Sequence, residues 1–185
     1  MPRNVKKTAG VSKNDWETPP GLGKKIRETF GITLDVCATA ETAQAQNYFG
    51  PPGEPLGNAQ SGARPETPGS DISIRRFVRC IGNDGLVQSW AGHRWYMNPP
   101  YSGGQIDAWL AKAEYEALTR GTSFGVVLLP NSSDSKWWRR YVHKKAVVLP
   151  IHGRLKFVGA PSGAMFASVL ALYIPDFHAT RGDVQ

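Results

Sequence analysis

A short segment, Asn98-Pro99-Pro100-Tyr101, combines residue types that can handle a planar amino nitrogen. Its two prolines lack backbone N–H groups and fix φ at about −65°, so the segment is stiff and its carbonyl oxygens remain available as acceptors. The Asn98 side-chain oxygen and the Pro99 carbonyl can both accept hydrogen bonds from an exocyclic –NH₂ group. Tyr101 offers a flat face on which a nucleobase can stack, worth roughly 1–3 kcal/mol. This chemistry suits an amino nitrogen that attacks a methyl donor.

The position of this tetrapeptide matters as much as its composition. It follows a predicted strand at residues 94–97 and precedes the flexible sequence Ser102-Gly103-Gly104. A proline turn that merely closes a strand would also contain a Pro-Pro pair. An asparagine directly after the strand and an aromatic residue at the end of the turn favour the functional interpretation.

Alternating strand and helix patterns predict an α/β fold, with a mostly parallel sheet covered on both faces. The predicted helices are residues 20–30, 41–46, 106–120 and a segment that begins at Ser132 or Ser133 and ends near residue 143. The predicted strands are residues 32–36, 77–81, 94–97, 124–129, 146–149 and 165–174. The strands at 124–129 and 146–149 are expected to be buried, because they are almost entirely apolar.

Three polar residues are predicted at the carboxyl ends of strands: Asp35, Asp84 and Asn98. Ligands of parallel α/β sheets bind at these ends, so we expect the three side chains to share one site. An aspartate at a strand end can also serve only as a turn cap, and this alternative stays open for Asp35 and Asp84.

Positive charge is concentrated in one segment. The chain has a formal net charge of +7, and seven basic residues without an acidic one lie between Lys136 and Lys156. These seven residues are Lys136, Arg139, Arg140, Lys144, Lys145, Arg154 and Lys156. Trp137, Trp138 and Tyr141 are interleaved with them, as in surfaces that bind phosphates and stack bases. A solvated helix face is the alternative interpretation.

Other functional classes find no support in the composition. No apolar run is long enough for a membrane span and no secretory leader is recognisable, so we expect a soluble intracellular protein. The two cysteines and four histidines show no metal-ligand spacing, and a disulfide framework is not expected.

The chain is expected to form a single domain. Residues 1–14 are interpreted as a basic disordered arm, residues 15–176 as the domain and residues 177–185 as a tail. Residues 50–76 lose all periodicity and are interpreted as a flexible insertion.

Several ordered motifs together resemble the phage-type Dam-like DNA N6-adenine methyltransferases. Before the tetrapeptide these are Trp16-Glu17-Thr18-Pro19-Pro20, Leu34-Asp35-Val36-Cys37-Ala38 and Asp84-Gly85-Leu86 with Trp90. After it come Leu128-Leu129-Pro130 and Gly153-Arg154-Leu155-Lys156-Phe157. The resemblance extends from about residue 14 to residue 174.

This resemblance implies a Rossmann-like methyltransferase fold with an antiparallel final strand, and methyl transfer from S-adenosylmethionine to N6 of a flipped-out adenine in double-stranded DNA. The implied catalytic residues are Asn98, Pro99, Pro100 and Tyr101. The implied cofactor-binding residues are Thr18, Pro19, Asp35, Cys37, Ala38 and Asp84. Of these, Cys37 is expected to be a small core residue rather than a reactive thiol. The seven basic residues of the 136–156 segment are the candidates for DNA binding.

The resemblance also implies a cytoplasmic enzyme, in a bacterium or a phage-infected cell, that needs neither a metal nor an obligate protein partner and does not contact a membrane. Three alternatives remain open at this point. One is methylation of cytosine N4; another is methylation of a protein glutamine amide or an RNA guanine amine. The third is a nucleic-acid-binding protein that keeps the fold but has lost catalysis.

Overall fold

The computed structural model describes residues 16–60, 77–101, 104–120, 123–160 and 162–175. The predicted arm, the predicted tail and the part of the predicted insertion from residue 61 to residue 76 lie outside these ranges. Eight strands of the described chain form one sheet. The strands are β1 Leu34–Asp35, β2 Asn47–Gly50, β3 Gly57–Gln60, β4 Phe77–Asn83, β5 Trp95–Met97, β6 Gly125–Pro130, β7 Val147–Pro150 and β8 Ser168–Tyr173. The helices are α1 Pro20–Phe30, α2 Gln105–Glu114 with a π-helical continuation Tyr115–Thr119, and α3 Lys136–Tyr141.

The strand order across the sheet is β3-β4-β2-β1-β5-β6-β8-β7. From β4 to β6 every neighbouring pair is parallel. The strand β3 pairs antiparallel with β4, and β8 pairs antiparallel with both β6 and β7. The predictions of a mixed α/β fold, of a mostly parallel sheet and of an antiparallel final strand are therefore confirmed.

Both faces of the sheet are buried, and the alternation of side chains along β6 shows how. Val127 and Leu129 join the cluster that packs under α2 and α3. Val126 and Leu128 join the opposite cluster, which includes Ile26 of α1. Because each face has its own cover, a strand such as β6 is apolar at every position, as its sequence predicts.

Helix α1 forms as its pattern predicts. Ile26 is buried, and Leu22 and Phe30, four residues away on either side, pack on the same cluster. Gly31 ends the helix in the left-handed conformation, with φ of 62°, and its N–H donates to the Arg27 carbonyl.

Two predictions about helices need correction. Residues 41–46 do not form a helix but turns and bends, and the Gln44 N–H donates to the Asp35 carboxylate instead of to a helical partner. The helix predicted from Ser132 or Ser133 begins later, because Ser135 is its cap and accepts from the Trp138 N–H.

Two predictions about strands were also wrong. The strand β7 is only partly buried, since it lies at the edge of the sheet with β8 as its one neighbour, and Leu149 is 40% exposed. Residues 57–60 are not irregular but form β3, which pairs with β4.

No helix in the described part of the chain is long and apolar enough to span a membrane.

Candidate active site

A cavity of about 610 Å³ opens where the parallel strands end. Asp35 is the last residue of β1, Asp84 follows β4, and Asn98 follows β5. All three residues line this cavity, as the strand-end argument predicts. The other predicted site residues that line it are Thr18, Cys37, Ala38 and Pro100. Pro19, Pro99 and Tyr101 do not line it.

Asp35 organises the loop that follows β1. Its carboxylate is buried and accepts hydrogen bonds from the Cys37 N–H at 3.3 Å and the Gln44 N–H at 2.9 Å. The two bonds hold residues 36–44 against the cavity. Asp35 therefore shapes the cavity wall that it also lines.

Cys37 is a neutral thiol in the cavity wall. Burial and the neighbouring Asp35 carboxylate together raise its pKa to about 12. A thiol with this pKa stays protonated at neutral pH and is a poor nucleophile. Next to it, the Ala38 N–H donates to the Phe49 carbonyl and joins this wall to β2.

The turn after β4 is tightly held. Asp84 has a positive φ of 59°, its N–H donates to the Gly50 carbonyl, and its Oδ1 accepts from the Leu86 N–H at 3.1 Å. A Cβ atom on Gly85 would lie 2.1 Å from the Val36 carbonyl oxygen, so only glycine fits here. The turn therefore brings its backbone into direct contact with the end of β1.

The buried carboxylate of Glu116 supports this turn through Trp90. The Trp90 indole donates to the Gly85 carbonyl at 2.7 Å, and the Trp90 N–H donates to Glu116 at 3.2 Å. Glu116 is fully buried and forms an ion pair with Lys112 at 2.7 Å. Sequence reasoning missed Glu116, because the spacing of Lys112 and Glu116 on a helix is also typical of an exposed ion pair.

The amide of Asn98 is fixed by hydrogen bonds on both sides. Its Nδ2 donates to the Trp16 carbonyl at 2.9 Å, and its Oδ1 accepts from the Tyr101 hydroxyl at 2.6 Å. The same hydroxyl lies 3.0 Å from the Leu128 carbonyl. Burial raises the pKa of Tyr101, so its hydroxyl remains a donor. The amide oxygen has a second lone pair, and Asn98 lines the cavity.

Tyr101 therefore lies differently from the sequence-based expectation. We expected its ring to be a platform for a base, but its hydroxyl points into the protein and its ring packs edge-on against Phe166, with centroids 6.1 Å apart. In this arrangement the hydroxyl holds Asn98. The Pro99 residue is buried behind the cavity wall.

The segment before α1 closes one side of the cavity. The Thr18 hydroxyl is hydrogen-bonded to the Tyr96 hydroxyl at 2.7 Å, and Glu17 forms an isolated bridge with Val158. The Trp16 ring stacks on Phe157 at 5.5 Å between centroids. The Pro19 carbonyl instead accepts from the first turn of α1.

One wall of the cavity was missed by sequence reasoning. Gly50 ends β2, Pro51 and Pro52 follow it, and all three line the cavity together with Phe49. The signal was available, since an aromatic pair directly before Gly-Pro-Pro is typical of a strand that ends in a turn. Helix α2 adds Gln105, Ala108 and Trp109.

The basic segment divides into two parts. Helix α2 contributes its first half to the cavity, whereas Glu114, its last residue, pairs with Lys145 at 2.7 Å. Arg140 and Lys145 line a separate depression with Glu114 and Tyr115 at that far end. Exposed basic residues elsewhere in the segment are Lys136, Arg139, Lys144, Arg154 and Lys156.

Arg154 and Lys156 lie at the cavity edge of the sheet. Both belong to the β7–β8 loop, residues 151–167, of which residue 161 is outside the described chain. This loop starts at the carboxyl end of β7, which runs parallel to β6 because both pair antiparallel with β8. Its Phe157 stacks on Trp16, which lines the cavity.

Among the described residues there is no group of three or more His, Cys, Asp or Glu side chains that could hold a metal ion.

Comparison with known proteins identifies one family. A family model described as DNA N-6-adenine-methyltransferase (Dam) matches residues 70–172. The match includes Asp84, the tetrapeptide that begins at Asn98 and the whole basic segment, whereas Thr18 and Asp35 precede it. No curated protein is similar enough in sequence to match the chain.

Proposed function

Since this protein belongs to the DNA N-6-adenine-methyltransferase (Dam) family, whose model matches more than half of its 185 residues, we propose that it transfers a methyl group from S-adenosylmethionine to N6 of an adenine flipped out of double-stranded DNA. The observation that carries this proposal is the Asn98 amide, which is held by Trp16 and Tyr101 at the wall of a cavity that Asp35 and Asp84 also line.

The cavity is suited to the cofactor. Its volume of about 610 Å³ lies within the range of roughly 300–1,000 Å³ of small-molecule sites. Phe49, Leu86 and Trp109 offer apolar faces for an adenine ring. When bound there, S-adenosylmethionine supplies a methyl group on a positively charged sulfur atom.

Polar groups of the chain would hold the ends of the cofactor. We assign the Asp84 turn to the adenosine part, since this turn adjoins Phe49 and Leu86 in the cavity wall. We assign two segments to the methionine part: Asp35 with the nearby Cys37 and Ala38, and Thr18-Pro19. Asp35 can accept a hydrogen bond from the ammonium group while it keeps the two backbone bonds that shape its loop.

Asn98 is the residue that we assign to the target base. Its Nδ2 is occupied by the Trp16 carbonyl, so the orientation of the amide is set and Oδ1 is the atom that accepts. The second lone pair of Oδ1 can accept a hydrogen bond from N6. This acceptor aligns the nitrogen and stabilises the positive charge that develops on it, and the proton then passes to solvent. Pro100 keeps this segment rigid.

Flipping is required because N6 of adenine is inaccessible inside a duplex, and it costs a few kcal/mol. We assign the phosphate contacts to basic residues near the cavity edge: Arg154 and Lys156 on the β7–β8 loop, and Lys136 at the start of α3. Arg140 and Lys145, at the far end of α2, are less suited to the same duplex.

The proposal is tested with plasmid DNA and S-adenosylmethionine that carries a labelled methyl group. After incubation, the DNA is digested to nucleosides and the label is assigned by chromatography and mass spectrometry. We expect the label in N6-methyladenine. Label in N4-methylcytosine would contradict the assigned base, and wild-type protein that neither binds the cofactor nor transfers label would indicate a nucleic-acid-binding protein without catalysis.

A further inference from the structure

Met165 is the most exposed large apolar side chain in the described part of the chain, at 89%. Single exposed apolar residues are common on protein surfaces, so exposure alone means little. The location is informative: Met165 lies in the β7–β8 loop, directly before Phe166, whose ring contacts both Trp16 and Tyr101 at 6.1 Å. Met165 therefore lies at the edge of the cavity next to the segment that holds Asn98.

The backbone around Met165 is well anchored. Ala164 is buried, and its N–H donates to the Leu155 carbonyl at 2.7 Å. On the other side, the Ala167 carbonyl accepts from the Asn131 N–H at 2.8 Å. The neighbours of Met165 are thus fixed while its side chain extends into solvent. An apolar side chain on a rigid support can enter a stack of bases without a further cost for ordering the backbone.

The loop that carries Met165 is positively charged. No acidic residue occurs between Lys136 and Pro175, whereas Arg154 and Lys156 are exposed on the same loop. Arg154 also lies close to Gly163, two residues before Met165, since a Cβ atom on Gly163 would lie 3.5 Å from the Arg154 Cβ. An apolar tip flanked by cations matches duplex DNA, which presents phosphates outside and stacked bases inside.

We propose that Met165 inserts into the base stack of the duplex and fills the space that the target adenine leaves when it flips out. This inference rests on the proposed function. Methionine is among the apolar side chains that act as wedges between base steps, because it is flexible and polarisable. By occupying the gap, Met165 prevents the adenine from returning before the methyl group is transferred.

The test compares Met165→Ala with the wild type on two duplexes, each built from a site that the wild type methylates. In one duplex the target adenine is paired with thymine; in the other it faces an abasic site and is already unpaired. We expect Met165→Ala to methylate the paired adenine at least about tenfold more slowly. On the abasic duplex we expect a rate within about twofold of the wild type, because little flipping work remains.

Two further variants serve as controls. Met165→Leu keeps an apolar wedge and should restore most of the rate on the paired duplex. Leu56→Ala removes an apolar side chain that is 68% exposed but lies directly before β3, at the opposite edge of the sheet, and should methylate both duplexes like the wild type. A 2-aminopurine base at the target position should show weaker fluorescence with Met165→Ala, since less of the base is flipped.

The possible results separate the two proposals. An unchanged rate of Met165→Ala on the paired duplex, or an equal loss on both duplexes, would overturn the wedge and leave the proposed function intact. If the wild-type protein does not methylate plasmid DNA at any position, the proposed function is overturned, and the wedge with it.

Discussion

The Tyr101 hydroxyl donates a hydrogen bond to the Asn98 side-chain oxygen across 2.6 Å, and the Asn98 amide nitrogen donates in turn to the Trp16 carbonyl. This chain of bonds connects the segment before α1 with the loop after β5. It fixes which end of the amide accepts a hydrogen bond at the cavity. Tyr101 therefore acts on Asn98 through its hydroxyl.

Replacement of Tyr101 with phenylalanine tests this role, because it removes the hydroxyl and keeps the ring. The loss of an orienting hydrogen bond is expected to lower kcat by about tenfold to 100-fold, or roughly 1–3 kcal/mol. Cofactor affinity should stay unchanged, since Tyr101 does not line the cavity. Steady-state kinetics with duplex DNA and calorimetry with S-adenosylmethionine measure the two effects. If Tyr101→Phe turns over like the wild type, its ring rather than its hydroxyl matters.

The turn after β4 predicts a different result for Gly85→Ala. The added Cβ would lie 2.1 Å from the Val36 carbonyl oxygen and 3.1 Å from the Trp109 ring, so the turn must shift. We expect the free energy of unfolding to fall by about 1–3 kcal/mol, and the affinity for S-adenosylmethionine to fall at least about tenfold. Urea denaturation and calorimetry measure the two quantities.

Gly21→Ala is the matched control for that experiment. No atom lies within 4 Å of the added Cβ, and Gly21 is exposed in α1. Its free energy of unfolding should rise by up to about 1 kcal/mol, as expected for a helical glycine, with unchanged cofactor affinity. Equal cofactor affinities of the two variants would show that the Asp84 turn does not contact the cofactor.

Arg154 and Arg140 allow a matched test of the DNA surface. Both are exposed, but Arg154 is on the β7–β8 loop near the cavity and Arg140 is near the far end of α2. We expect Arg154→Gln to weaken DNA binding and to reduce the slope of log K against log salt by about 1. Arg140→Gln should leave this slope nearly unchanged. The reverse pattern, measured by fluorescence anisotropy at several salt concentrations, would place the duplex at the Arg140 end of α3, beside Lys145.

The raised pKa of Cys37 predicts lower stability at alkaline pH. In the folded protein the thiol ionises near pH 12, but in the unfolded chain it ionises near its ordinary value of 9.0. The unfolded chain therefore loses its proton first, and the free energy of unfolding falls as the pH rises above 9. Between about pH 9 and pH 10 this group accounts for a loss of about 1 kcal/mol. In urea denaturation, Cys37→Ala should lose that much less than the wild type; equal losses would show that Cys37 ionises alike in both states.

The features that the sequence predicted well are local. Helix α1 follows from apolar residues spaced four apart and a glycine at its end, and the meeting of Asp35 and Asn98 follows from their places after parallel strands. Such patterns can be recognised because the residues involved are close along the chain or are placed by a general rule of sheet topology.

The features that the sequence did not predict depend on distant contacts. Asn98 and Trp16 are 82 residues apart, and Tyr101 and Leu128 are 27 residues apart, so no short pattern shows that these groups are in contact. The expected helix at 41–46 fails for a similar reason, since the Asp35 carboxylate captures the Gln44 N–H from nine residues away. Tertiary contacts decided the structure in each case.

Asn98→Ala is the variant that most directly tests the assignment of Asn98 to the target base. Cofactor affinity by calorimetry and single-turnover formation of N6-methyladenine in duplex DNA are determined on the same preparation, beside the wild type. We predict that cofactor affinity stays within about threefold, while methyl transfer slows by about 100-fold or more, because the acceptor that aligns N6 is gone. Methyl transfer at close to the wild-type rate would contradict the assignment of Asn98 to the target base.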